Sequence, residues 1–174
     1  MSSESDAVAA RARAVRLAVF DVDGVMTDGT LYLGGEGEAF KAFNILDGHG
    51  VKMLQAAGIA AAILSGRSSD AVSRRAAELG IRHVVQGSED KVAAFEQMRT
   101  RLGVEAEACA FVGDDLPDLA VMRRCGFAVA VANAVEPVKS AAHYVTRAAG
   151  GRGAVREFCD LVLRAQGRQG EGAA

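Results

Sequence analysis

Short, almost wholly apolar runs recur along this chain, separated by stretches with helical periodicity, and few folds accept that alternation. Val15–Phe20, Ile59–Leu64, Ala108–Val112 and Phe127–Val131 carry apolar residues at consecutive positions, with Arg16 the one exception. A strand apolar on both sides is buried on both faces, which is the condition inside a parallel sheet. His83–Val85 and His143–Thr146 read as shorter strands of the same set. Between them, Val51, Leu54 and Ala57 recur at helical spacing, as do Val72, Ala76 and Leu79. Val92, Phe95, Met98 and Leu102 form a third such stripe, and Val155, Phe158, Leu161 and Val162 a fourth. Strands alternating with helices predict an α/β fold, a Rossmann-like, doubly wound parallel sheet covered on both faces.

One interval breaks the rule. From Asp28 to Phe43 the pattern is alternating and Gly-rich, with Leu31 and Leu33 set off by Thr30 and Tyr32 ahead of a Gly34-Gly35-Glu36-Gly37 turn. This predicts a small β-hairpin insertion. Asp47 is expected to cap the helix that follows, and Leu116-Pro117 to open another, with proline in its first turn. The expected organisation is a flexible N-terminus over 1–14, a single domain over 15–166 and a flexible, Gly-rich tail over 167–174.

Bulk properties narrow the function. A net charge of -2 with scattered basic residues leaves no stripe for a nucleic acid. The polar N-terminus and the lack of a long apolar run predict no signal peptide and no membrane span. Cys109, Cys125 and Cys159 have neither zinc nor disulfide spacing, which fits a cytoplasmic protein.

In open α/β sheets, ligands gather beyond the carboxyl ends of the strands. Asp21 and Asp23 stand there after the first strand, Ser65-Gly66-Arg67 after the second and Asp114-Asp115 after the Ala108–Val112 strand, with Lys91 opening the helix between the last two. Carboxylates brought together repel by roughly 4 kcal/mol per pair at 4 Å and an effective dielectric of 20. They call for a cation, and oxygen donors without His or Cys favour Mg²⁺. Taken alone, Asp21 and Asp23 also suit a turn. Asp115 and Asp118 equally suit acids that stabilise the positive end of a helix, and Lys91 a solvated helix residue.

The ordered set DVDGVMT, SGR, a lysine and GDDLPD resembles the four signature motifs of the haloacid dehalogenase superfamily of phosphohydrolases. The resemblance implies that Asp21 is the nucleophile and forms an aspartyl-phosphate, while Asp23 serves as acid and then base. It further implies that Ser65 and the Gly66 N–H hold phosphate and that Lys91 neutralises charge. Asp21, the carbonyl of Asp23 and Asp114 would bind the metal, supported by Asp115 and Asp118. The intervals between motifs have no room for a cap domain, so the expected fold is that superfamily's, with the hairpin and no cap. The strings FNILDGHGVK, QGSEDK and GGRGAVREFCDLVLRAQG are similar to a capless branch that dephosphorylates sugar acids. The implied substrate is 3-deoxy-D-manno-octulosonate 8-phosphate, an intermediate of the lipopolysaccharide inner core. Arg67 and Arg152 would meet its carboxylate and phosphate, and a homotetramer built through the hairpin would complete the site. Leu46 stands where many members have arginine. The alternatives are an N-acylneuraminate or related nonulosonate 9-phosphate as substrate, a non-catalytic oligomerisation module, and an aspartate-phosphorylated receiver, against which Asp23 argues.

Overall fold

The computed structural model describes residues 2–168. Its centre is a six-stranded, all-parallel sheet in the order β5-β4-β1-β6-β7-β8. The strands are β1 (Leu17–Phe20), β4 (Ala60–Leu64), β5 (His83–Val85), β6 (Cys109–Gly113), β7 (Phe127–Ala130) and β8 (Tyr144–Val145). The antiparallel pair β2 (Tyr32–Gly34) and β3 (Gly37–Phe40) is the expected hairpin, and no other insertion separates β1 from β4. The fold is therefore the capless, doubly wound α/β arrangement.

Eight strands are joined by seven helices among the described residues: α1 (Ser2–Ala14), α2 (Ile45–Ala56), α3 (Asp70–Leu79), α4 (Lys91–Leu102), α5 (Leu119–Met122), α6 (Glu136–Ala141) and α7 (Ala154–Ala165). From β1 the chain winds outward through β4 to β5. It then crosses to β6 and winds the other way, so right-handed crossovers place the two runs of helices on opposite faces. Accordingly α2 packs on α3 and α7, and α7 on α1, while α5 packs on α4 and α6. Every residue of β1, β6 and β7 is buried, as the apolar runs require. Phe20, Phe127 and Phe158 join sheet to helix, with Phe20 and Phe158 in an edge-to-face contact at 5.7 Å. Phe158→Ala would cost about 3–5 kcal/mol.

Two local expectations are corrected. The N-terminal segment read as flexible is helix α1. Its Ala12 is fully buried, and Arg11 and Arg13 donate to the carbonyls of Gly126 (2.6 Å) and Ala165 (3.1 Å), contacts across the fold that composition does not display. Asp47 does not cap α2. Asn44 does, accepting from the N–H groups of Leu46 (2.8 Å) and Asp47 (3.2 Å), because it stands at the last extended residue before the turn. Asp47 points inward and accepts from Gly153 and Arg156 at the start of α7. As expected, Leu116-Pro117 opens a helical segment with proline in its first turn, the tight turn Leu116–Asp118 leading directly into the short α5. At the other end, Gly167 and Arg168 continue against α7, and the rest of the expected tail lies outside the described residues.

Candidate active site

The topology places Asp21 and Asp114 side by side. They leave the carboxyl ends of β1 and β6, neighbouring strands whose onward connections run in opposite directions, and such a switch point opens a crevice. The Asp21 N–H is bonded to the Val112 carbonyl at 3.1 Å, which continues the ladder to the mouth of that crevice. A cavity of about 200 Å³ there is lined by every expected site residue except one, Arg152.

The turn after β1 is shaped by Gly24 and Thr27. Gly24 has φ +91°, and a side chain there would run into the Asp114 carboxylate, so glycine is required on both counts. Thr27, buried, accepts from the N–H groups of Gly24 (3.3 Å) and Gly29 (3.2 Å) and donates to the Val22 carbonyl (3.3 Å). Asn133 braces the same turn by donating to the Gly24 carbonyl at 3.1 Å and accepting from the Gly150 N–H at 2.6 Å. Gly150 lies so close to the Gly24 carbonyl that a Cβ would not fit, and the Gly151 N–H donates to Val25 at 3.0 Å. The Gly150–Gly153 segment is thus seated under its own chain's turn. Arg152 projects outward, 71% exposed, 3.4 Å from Asp28.

Within the crevice, carboxylate oxygens of Asp21, Asp114 and Asp118 lie within 4.8 Å of one another. Lys91 enters from the start of α4, buried, with its Nζ 3.0 Å from Asp21 and 2.8 Å from Asp118. Asp118 has little capacity left, because its second oxygen accepts from the N–H groups of Asp114 (3.0 Å) and Asp115 (3.4 Å). Asp115 is exposed and caps the Leu116 turn. Ser65 is buried with its Oγ beside the Arg67 N–H, and Gly66 opens the loop over Lys91. The Asp23 carboxylate stands apart from the cluster, paired with Lys41 at 2.5 Å and Arg67 at 3.6 Å.

One ammonium does not balance these acids. Burial, reinforced by the charge of Asp118 and opposed by Lys91, raises the Asp21 carboxyl to about 6. Burial together with the charges of Asp21, Asp118 and Asp115 raises Asp114 to about 8. Burial alone would lower the Lys91 ammonium, but Asp21 and Asp118 outweigh it and hold it above its ordinary value. Among the described residues the buried Asp114 Oδ1 has no hydrogen-bond partner. A crowded set of oxygen donors with one oxygen unspent fits a small, hard divalent cation held by Asp21 and Asp114.

Sequence reading missed Lys41, Glu38 and Asn133, and found Thr27 only as a letter of the first motif. Lys41 and Glu38 sit in a hairpin whose polar residues alternation assigns to solvent. Asn133 follows β7 in an unremarkable Ala-Asn-Ala.

Known proteins resemble this chain along most of its length. The family model of haloacid dehalogenase-like hydrolases matches residues 80–158. The 3-deoxy-D-manno-octulosonate 8-phosphate phosphatase of Escherichia coli K12 is 48% identical over 94% of this chain and 87% of its own. The crystal structure of the enzyme of that name from Yersinia pestis superposes with a TM-score of 0.92 at 48% identity, covering 94% of this chain and 88% of that one. The Moraxella catarrhalis phosphatase, solved in complex with magnesium ion, phosphate ion and a KDO molecule, gives a TM-score of 0.90 at 44% identity, covering 92% of each chain.

Proposed function

The chain belongs to the haloacid dehalogenase-like 3-deoxy-D-manno-octulosonate 8-phosphate phosphatases, and from that footing we propose how its own residues carry out the reaction. It is a Mg²⁺-dependent phosphatase that hydrolyses the 8-phosphate to the free sugar acid and inorganic phosphate, a step of lipopolysaccharide inner-core synthesis. The observation that carries the mechanism is the meeting of Asp21, Lys91 and the unspent Asp114 oxygen in one crevice. The octulosonate 8-phosphate phosphatases at 48% identity favour the eight-carbon acid over a nonulosonate, and the filled motif positions argue against a non-catalytic module.

A carboxylate oxygen of Asp21 attacks phosphorus in line with the bridging oxygen. The new P–O bond forms as the bond to the sugar C8 oxygen breaks, and the Asp23 carboxyl gives its proton to that oxygen. Water then attacks the phosphorus of the aspartyl-phosphate while Asp23 takes its proton back. Phosphate leaves, and both aspartates return to their starting forms. Lys91 offsets the charge carried on Asp21 and on the phosphoryl oxygens, while the Ser65 hydroxyl and Gly66 N–H hold two of those oxygens. Mg²⁺, held by Asp21, Asp114 and the Asp23 carbonyl, supplies further charge neutralisation for the phosphoryl group. Asp118 keeps Lys91 and the Asp114 loop in place. Arg67 meets the substrate at the mouth, where its side chain is half exposed.

Phosphate release from 3-deoxy-D-manno-octulosonate 8-phosphate, N-acetylneuraminate 9-phosphate and hexose phosphates, with Mg²⁺ and with EDTA, tests the reading. Preference for the eight-carbon acid that disappears in EDTA supports it. Equal turnover of the nine-carbon acid would overturn the substrate, and no turnover at all would overturn the chemistry.

Oligomerisation and location belong to the same reading. Leu33 and Phe40 of the hairpin and Ile45 and Leu46 at the start of α2 are exposed, Ile45 by 81%. Large apolar side chains so placed favour contact with further copies, and a cytoplasmic homotetramer is the assembly we propose. No helix among the described residues is long and apolar enough to cross a membrane. Paired Leu33→Asp and Ile45→Asp substitutions should reduce the mass seen by light scattering; an unchanged mass would remove the hairpin from the interface.

A further inference from the structure

The side chain of Lys41, just beyond β3, is only 2% exposed although most residues of the hairpin are exposed. Its Nζ lies 2.5 Å from Asp23 Oδ1 and 2.8 Å from Glu38 Oε2. Arg67 spans the same two acids more loosely, at 3.6 Å from Asp23 Oδ2 and 3.7 Å from Glu38 Oε2. Glu38 is itself fixed by the Ser69 hydroxyl, which donates to Oε1 at 2.5 Å ahead of α3. Two acids and two bases therefore alternate in a closed ring, of which Asp23 and Arg67 line the crevice while Lys41 and Glu38 stand behind them. Burying a lysine costs several kcal/mol unless it is fully paired, so Lys41 stays in place only while both carboxylates hold it.

The ring constrains an otherwise rotatable group. Asp23 sits on an irregular turn and is partly open to solvent, and among the described residues its side-chain oxygens meet no neutral donor. Proton transfer needs that carboxyl aimed at the leaving oxygen, and an error of about 1 Å in such placement costs on the order of a hundredfold in rate. We propose that Lys41, anchored by Glu38, is the positioning residue that aims the Asp23 acid/base, so that the hairpin contributes to catalysis within its own chain. This rests on the reading of Asp23 as the group that protonates the leaving alkoxide.

The test exploits the leaving group. The C8 alkoxide of the sugar must receive a proton as the P–O bond breaks, whereas p-nitrophenolate leaves without one. First-turnover release of sugar acid and of nitrophenol is measured with enzyme in excess and Mg²⁺ present. Wild type is compared with Lys41→Met, Lys41→Arg, Glu38→Gln and Asp23→Asn, each with its melting temperature. For Lys41→Met the expected result is a saturating rate on the sugar phosphate down by roughly thirtyfold to three-hundredfold, with half-saturation nearly unchanged and nitrophenol release down by no more than about threefold. Lys41→Arg should recover most of the loss, and Glu38→Gln should reproduce part of it. Equal losses on both substrates, a weaker half-saturation with an unchanged saturating rate, or no loss at all would overturn the proposal. If Asp23→Asn also slows both substrates equally, the underlying acid assignment fails; if Asp23→Asn discriminates between them and Lys41→Met does not, only the positioning role fails.

Discussion

Glu157 near the start of α7 and Asp114 at the mouth of the crevice are both carboxylates drawn partly out of water, and the protein treats them in opposite ways. Glu157 accepts from the N–H groups of Arg147 (3.0 Å) and Ala148 (2.9 Å) and from the Tyr144 hydroxyl (2.7 Å). Burial would raise its carboxyl, but these donors hold it below its ordinary value. Asp114 has one oxygen without a partner and three other acids for neighbours, and it is pushed up to about 8. A satisfied acid, Glu157, ties the last strand to the last helix, whereas the unsatisfied Asp114 oxygen stands where the sheet opens. An acid left incomplete in a fold that completes the hydrogen bonding of another calls for an explanation, and at Asp114, among further carboxylates at the sheet's switch point, a bound cation supplies one.

The most severe way to test the contrast is to remove the nucleophile. Asp21→Asn preserves shape and removes both a charge and the attacking oxygen. It should lower the rate of phosphate release by at least about ten-thousandfold, while the fold, read by circular dichroism, is retained. A variant keeping a tenth of the activity would mean that a different group attacks phosphorus.

Asp114→Asn comes next and separates stability from activity. An acid whose folded pKa lies above its unfolded value keeps its proton in the folded state while the unfolded chain ionises. Stability is therefore lost as pH rises from about 4 towards the folded values near 6 for Asp21 and 8 for Asp114. In EDTA the wild-type melting temperature should fall between pH 5 and pH 8, and Asp114→Asn should flatten that fall and melt higher at pH 8 by at least about 1 kcal/mol, roughly 2–4 °C. Mg²⁺ competes with protons for the same oxygens, so it should raise the wild-type melting temperature more at pH 8 than at pH 5 and the variant little at either. The same variant should lose at least about a hundredfold in Mg²⁺-dependent turnover. A melting temperature that climbs with pH in EDTA would show that these acids are not under strain.

How far the contrast is legible in the sequence differs between its two sides. The crevice could be read because its parts lie at predictable places: consecutive apolar residues announce β1, β4 and β6, and the first polar residue beyond each run falls on one edge of the sheet. Asp21, Ser65 and Asp114 are that edge. Lys91 could be read because α4 begins one residue ahead of its apolar stripe. The network around Glu157 could not, since it joins a helix to a loop through backbone N–H groups that every residue carries. The same blindness explains Asp47, whose partners lie more than a hundred residues away, and α1, whose anchors are two carbonyls at distant positions. Lys41 was hidden for another reason: strand alternation assigns a polar side chain to solvent, and one of the two carboxylates that draw it inward, Asp23, comes from the distant turn after β1.

Glu157→Gln gives the smallest expected effect and the one that most directly opposes Asp114→Asn. The amide keeps one acceptor, turns a donor towards the Arg147 and Ala148 N–H groups, and loses the charge that strengthens all of these bonds. Hydrogen bonds to charged groups contribute about 1.5–3 kcal/mol, of which glutamine recovers a part, so a loss of about 1–2 kcal/mol is expected at pH 7. Because the folded Glu157 carboxyl lies below its unfolded value, its stabilisation is complete above the unfolded pKa and is lost as pH falls through the folded one. The gap in melting temperature between wild type and variant should therefore be constant near neutrality and close below about pH 4. Turnover of the sugar phosphate should stay within about twofold of wild type, since Glu157 does not line the crevice. Opposite signs for the two substitutions, one amide stabilising and silencing the protein and the other destabilising it and leaving it active, are what the contrast requires. If both amides destabilise, the Asp114 oxygen is satisfied in solution and the crevice is no more strained than the rest of the fold.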